Sequence, residues 1–218
     1  MTVSTIIARS RDLADITGSS FFSSSEEYAS LNESYRDLYE QILNAEDDYF
    51  AEEWDFLFSD LTAIDGQVFA YTLAVPADFY RLRTLQYQLN NRWPSIDKFN
   101  PINEAQIDKA SYRIIGENIK LILPMMGQYT GFRALYFPVP EEYTAGTEDI
   151  VFPPQLEPAI LAYQIAIDIK RKQDGDYSKL QQRRDELWTR FEGAITRRDD
   201  WQYQPAANVY RTTDNPWR

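Results

Sequence analysis

The stretch Ser111–Pro124, SYRIIGENIKLILP, decides how the middle of this chain folds. Tyr112 and Ile114 alternate, Gly116-Glu117-Asn118 supplies a reversal, and Ile119, Leu121 and Leu123 resume the alternation. A period of two puts apolar side chains on one face of an extended chain, and a glycine-containing turn between two such runs marks a β-hairpin. Upstream, QVFAYTLAVPADFYRLRTLQYQ (67–88) is rich in aromatic and β-favouring residues and is divided at Pro76-Ala77-Asp78, which predicts strands near 67–74 and 80–88. Downstream, GFRALYFPVP (131–140) predicts one more strand, ended by Pro138 and Pro140. Between them NPINEAQIDKA (100–110) predicts a short helix entered through Pro101.

On either side the period changes to that of a helix. Apolar residues at 3, 6, 7, 13 and 16, with Thr2 or Ser4 as cap and Thr17-Gly18 as stop, predict a first helix. The serine run then offers capping boxes, Ser23 with Glu26 or Ser24 with Glu27, ahead of the stripe Tyr28, Leu31, Tyr35, Leu38 and Ile42. After 150, Leu156, Ile160, Tyr163 and Ile167 form one stripe while Leu161, Ile165 and Ile169 form another, so that helix is expected at the centre of the packing. Pro158 falls in its first turn, Gly175 breaks it, and Leu180, Leu187, Phe191 and Ala194 mark an antiparallel partner. The expected class is α+β: a helical bundle of N- and C-terminal helices (2–17, 24–45, 155–174, 177–197), a small antiparallel β region of hairpins at 66–140, and an extended C-terminal arm. The expected organisation is one domain over 1–200, with the arm at 201–218.

Composition removes several chemistries. The 218 residues include no cysteine and no histidine, so disulfides, thiolate and imidazole metal sites, Cys nucleophiles and Ser-His-Asp catalysis are all excluded. No cofactor or metal is expected. No apolar run approaches the roughly 20 residues of a membrane span, and no basic region precedes the first apolar patch, so neither a membrane association nor a secretory signal is expected. The net charge of −12 opposes binding to a phosphate backbone or an anionic membrane. That charge is unevenly spread: Asp37–Tyr80 holds eleven acids and no base, whereas Lys170–Arg198 holds nine bases against five acids. The split fits solvated faces on a soluble domain, or a sharper arrangement in which Glu46, Asp47, Asp48, Glu52 and Glu53 of one subunit face Lys170, Arg171, Lys172, Arg183 and Arg184 of the next, a head-to-tail contact that closes into a ring if the rotation permits.

What remains for catalysis is a carboxylate pair of the glycosidase kind, with Glu52, Glu53 or Asp55 in NAEDDYFAEEWDF (44–56) as candidates. DGDYSK lacks the spacing of a phosphate loop, and DDYFAEEWD lacks the central glycine and alternating donors of a calcium loop. The aromatics of the acidic region suit a core or solvated role better than single-strand binding. The segment WQYQPAANVYRTTDNPWR (201–218) is the least ordinary feature. It carries Trp201, Tyr203, Tyr210 and Trp217, with Arg211 and Arg218 against Asp214, in a stretch with no apolar period. Trp, Tyr and Arg are the usual hot-spot residues of interfaces, so these six residues are expected to dock on another chain in the manner of an extended peptide, the alternative being that the segment folds back on its own acidic body.

Four segments carry a resemblance: YTLAVPADFYRLRTLQY, YRIIGENIKLILP, GFRALYFPVP and LEPAILAYQIAIDIKRKQDGD. Together they resemble the head-to-tail adaptor (head-completion, tail accessory factor-like) proteins of tailed bacteriophages, over about residues 2–198. In that family a strand enters a Leu-Pro-x-Asp-Phe-x-Arg turn, a hairpin carries a Gly-Asn turn, and a Tyr-Tyr-Pro-x-Pro strand precedes the last helices. The counterparts are Val75–Arg81, Gly116–Asn118 with Pro124, and Tyr136–Pro140, with Val75 in place of Leu and Glu117 between Gly and Asn. The resemblance implies a structural, non-enzymatic virion protein at the portal vertex, assembled in the host cytoplasm. Its expected partners are the portal protein, a tail nozzle or other tail protein, and its own copies in a usually dodecameric ring through which DNA passes without specific binding, with the six arm residues docking on the portal or a neighbouring subunit. A cell-wall hydrolase of the virion and a generic multi-subunit scaffold are the alternatives.

Overall fold

A computed structural model describes residues 1–16, 22–45, 48–67, 69–89, 92–99, 109–124 and 129–203, with side chains through Ile195. The helix expected in 100–110 falls almost entirely outside these residues. The chain divides into two compact units, one of residues 1–49 and 140–218 and one of residues 50–139.

The first unit is helical. Helices α1 (Val3–Leu13), α2 (Ser24–Asn44), α3 (Ala159–Lys172) and α4 (Ser178–Tyr203) are joined so that α3 packs against each of the others. Its two apolar stripes explain this position: Ile160, Leu161, Ile165, Ile167 and Ile169 are all buried, and each such side chain contributes about 1.5–3 kcal/mol on burial. Of the caps the sequence offered, Thr2 takes α1, and Ser23 with Glu26 forms the full capping box of α2. The α1 N-terminus is further satisfied by a distant loop: Val3 N–H donates to the Glu148 carbonyl (2.9 Å) and Ser4 N–H to that of Gly146 (3.0 Å). Asn32 of α2 holds the same loop from both sides of Tyr143, accepting from its N–H (2.9 Å) and donating to its carbonyl (3.0 Å). Helix ends differ from expectation where an aspartate does a glycine's work: Asp15 (φ +54°) and Asp174 (φ +53°) adopt the left-handed conformation, so α1 and α3 stop before Gly18 and Gly175. Helix α4 runs on to Tyr203, three residues into the stretch expected to be extended.

The second unit is where the expected class is corrected. In place of a helical bundle with a small β region, the described residues form a mixed α/β structure with substantial sheet: four helices and eight strands in two sheets. Strands β1 (Glu52–Leu57), β4 (Phe79–Tyr87) and β8 (Gly131–Pro138) make a three-stranded sheet in the order β1-β8-β4. Strands β2 (Thr62–Ala63), β3 (Ala70–Ala74), β5 (Asp97–Lys98), β6 (Ser111–Ile115) and β7 (Asn118–Ile122) make a five-stranded sheet in the order β2-β3-β7-β6-β5. The hairpin of the opening stretch is β6–β7, with Ile115 opposite Asn118 and a two-residue turn whose first member, Gly116, has φ +58°. That pattern, positive φ at the first turn residue only, is the one that a type II′ turn requires. The missed strands are those with the weakest signals: β1 carries three carboxylates on an edge, β2 and β5 are two residues each, and β5 pairs with β6 in parallel. Phe56, Leu85, Ile119, Leu121, Leu123, Phe132 and Ala134 from both sheets form one core.

Candidate functional site

Most of the charged residues expected at a subunit interface are engaged within the chain. Arg133, on β8 opposite Asp55, lies within 2.9 Å of that carboxylate and 2.8 Å of Glu53, and its guanidinium rests 4.6 Å over the Trp93 ring. Asp55 and Glu53 together raise the Arg133 pKa, Asp55 most through its hydrogen bonds. In the helical unit Lys170 pairs with Asp15 (3.6 Å), Arg171 with Asp168 (3.6 Å), and Lys172 with Glu26 across α2 and α3. Arg183 pairs with Glu186 (2.7 Å), and Arg184 with Asp185 (2.5 Å) and the side-chain Oε1 of Gln164 (2.7 Å). Asp48 also has a partner. The run of eleven acids divides between the two units, and residues 50–139 hold ten acids against eight bases. Pairs this exposed contribute about 0–1 kcal/mol each and exchange partners readily. Glu46 and Asp47 lie outside the described residues. Trp201 and Tyr203 end α4, with side chains not described, and Tyr210, Arg211, Trp217 and Arg218 lie outside the described residues.

The carboxylates offered for acid–base chemistry hold strands together. Tyr136, buried on β8, donates its hydroxyl toward Glu52 on β1 (3.2 Å) and toward both oxygens of Asp78 in the β3–β4 turn (3.3 and 3.4 Å). Burial, then the Asp78 charge, push the phenol up to about 12, so it is a proton donor at any ordinary pH. The turn is closed a second time through backbone: Val139 N–H donates to the Asp78 carbonyl (2.6 Å), while Phe79 N–H donates to that of Pro76 (3.0 Å). Phe79 stacks on the Tyr136 ring at 5.7 Å. Glu52, Asp78 and Tyr136 thus tie β1, β8 and the start of β4 at one point. Asp78 and Tyr136 were visible in the sequence only as motif positions, and no spacing rule paired them across 58 positions.

A second feature lies among α2, α3 and α4. A cleft of about 130 Å³ has Leu38, Ile160, Leu161 and the Trp188 ring among its lining, with Asp37, Gln41 and Arg184 also bordering it. Trp188 is fixed by its indole N–H donating to Glu192 (2.7 Å). Asp37 is exposed and makes no hydrogen bond or ion pair among the described residues. Sequence reading placed Leu38 and Ile160 on apolar stripes but gave no signal that three helices leave a gap there.

Among the described residues no cluster of three or more His, Cys, Asp or Glu could hold a metal ion, and no helix is long and apolar enough to cross a membrane. The sequence matches no protein-family model and no curated protein.

Proposed function

We propose that this chain is a head-to-tail adaptor of a tailed bacteriophage. It is a structural subunit that assembles in a ring, binds the portal protein and joins it to the tail around the DNA channel. The observation that supports the reading is the Asp78–Tyr136 junction. Two of the segments that carry the resemblance, Val75–Arg81 and Tyr136–Pro140, meet there through one side-chain and one backbone hydrogen bond. Motif members that hold one another in space are packing residues, and the support they give to a structural role is by analogy with the family that the segments resemble. The hairpin turn at Gly116 and the central helix α3 lie within two further segments that carry the resemblance. An acidic chain suits a channel for DNA, because a wall that repels phosphates lets the duplex slide.

The test is assembly on portal. The purified chain is mixed with the portal protein of the same phage and imaged by electron microscopy, with mass measured by light scattering. A ring of copies capping the portal is expected. A chain that stays monomeric and does not sediment with portal refutes the reading.

A further inference from the structure

We propose that the cleft among α2, α3 and α4 receives an aromatic–arginine pair from the segment 204–218 of a second copy of this chain. The inference rests on the adaptor reading for its choice of a second copy, and on the cleft for the rest.

The cleft is of a size for one ring: about 130 Å³, where an apolar cavity of about 150 Å³ takes up a benzene. Its lining supplies the apolar contact, through Leu38, Ile160, Leu161 and the Trp188 face. Its border supplies an anion, since Asp37 is exposed and has no partner among the described residues, whereas the nearby Arg184 is already held by Asp185 and Gln164. The complementary ligand is an aromatic side chain followed by a cation. The segment after α4 carries that pair twice, as Tyr210-Arg211 and Trp217-Arg218, with a single acid, Asp214.

Reach permits the contact. From Trp188 to the end of α4 at Tyr203 is about 22 Å at 1.5 Å per residue. The fifteen residues beyond span up to about 50 Å when extended. Donor segment and receptor cleft are different surfaces of one chain, the heterologous relation from which a ring closes. An aromatic ring in a pocket beside a charge contact is also how a few residues come to dominate an interface.

The absence of cysteine gives a clean test with the full-length chain. Two variants are made separately, Gln41→Cys at the cleft and Thr213→Cys midway between the two aromatic–arginine pairs, then mixed under mild oxidation. A mixed disulfide can form only between copies. It is expected to form roughly tenfold faster than with Gln182→Cys, an exposed α4 position outside the cleft lining, in place of Gln41→Cys. Adding Asp37→Lys to the cleft chain should slow it roughly tenfold, and Arg211→Glu with Arg218→Glu in the other chain should restore it. Equal rates at positions 41 and 182, or indifference to Asp37→Lys, overturn the proposal. So does a disulfide that forms only when both cysteines sit in one chain. A mixed disulfide in a protein that ignores portal would retire the adaptor reading and leave the cleft assignment standing.

Discussion

Replacing Tyr136 by phenylalanine removes one hydroxyl from the point where β1, β8 and the β3–β4 turn are tied. The ring stays, with its stacking on Phe79, so no cavity forms. What goes is a donor shared by Glu52 and Asp78. A hydrogen bond to a charged acceptor contributes about 1.5–3 kcal/mol. Here both carboxylates belong to exposed residues and rehydrate when the donor is lost, so the expected loss is about 1–2 kcal/mol. Asp78→Asn, which keeps an acceptor but not the charge, should lose roughly half as much, and the double variant should lose less than the sum, because both act on one bond. Urea unfolding followed by circular dichroism measures this as a lower midpoint with an unchanged slope. The pH dependence gives an independent check. The phenol is raised from 10 unfolded to about 12 folded, so the folded state holds the proton longer. Its stabilisation is complete below pH 10 and is lost as pH rises through about 12. The difference between the parent chain and Tyr136→Phe should therefore be flat up to about pH 10 and shrink above it. A Tyr136→Phe chain as stable as its parent, or a difference that grows above pH 10, would refute the reasoning.

The remaining predictions concern the local devices that set the elements. Ser23→Ala removes the acceptor of the α2 capping box and should cost about 1 kcal/mol by urea unfolding. Gly116→Ala should cost about 1 kcal/mol or more: nothing lies within 4 Å of a new Cβ, so the loss is wholly the positive φ, and Gly116→Asn should recover part of it. Glu26 is held down to about 2, first by Lys172 and then by Ser23. Its stabilisation is present above its ordinary value near 4.5 and is lost as pH falls toward 2, so Glu26→Gln should flatten an acid titration of α2 helicity in that window. Burial raises Asp168, against the pull of Arg171 and Ser30. Because that charge is costly where it lies, Asp168→Asn should leave thermal stability at neutral pH unchanged or slightly higher.

How much of this was legible in the sequence follows from the length scale of each signal. Helices α2 and α3 were readable because a stripe such as Leu31, Tyr35, Leu38 and Ile42 repeats over about three turns, long enough for the period to show. The β6–β7 hairpin was readable because alternation and a turn glycine lie within one window. Strand β1 was hidden by its own chemistry. Glu52, Glu53 and Asp55 protect an open edge from pairing with another chain, and those acids drew the eye to catalysis, while the alternation of Trp54 and Phe56 that buries the strand's inner face was the true signal. Strands β2 and β5 exist only because β3 and β6 lend them an edge, so nothing local encodes them. The same reasoning bears on function. Asp78 and Tyr136 lie on different strands' worth of sequence, and their bond could be read only as two halves of a resemblance. The cleft has no sequence signature at all, since a gap among α2, α3 and α4 is a property of three packed surfaces, none of which carries it alone. Charge patterning had the opposite fault: the acidic and basic runs were plain, yet several of their members pair within the chain, Arg133 with Asp55 and Lys172 with Glu26 among them, and nothing in the sequence pointed to those partners. Asp37, which makes no such pairing among the described residues, is left to face a partner, and there the sequence's electrostatic argument and the packing of the helices come together.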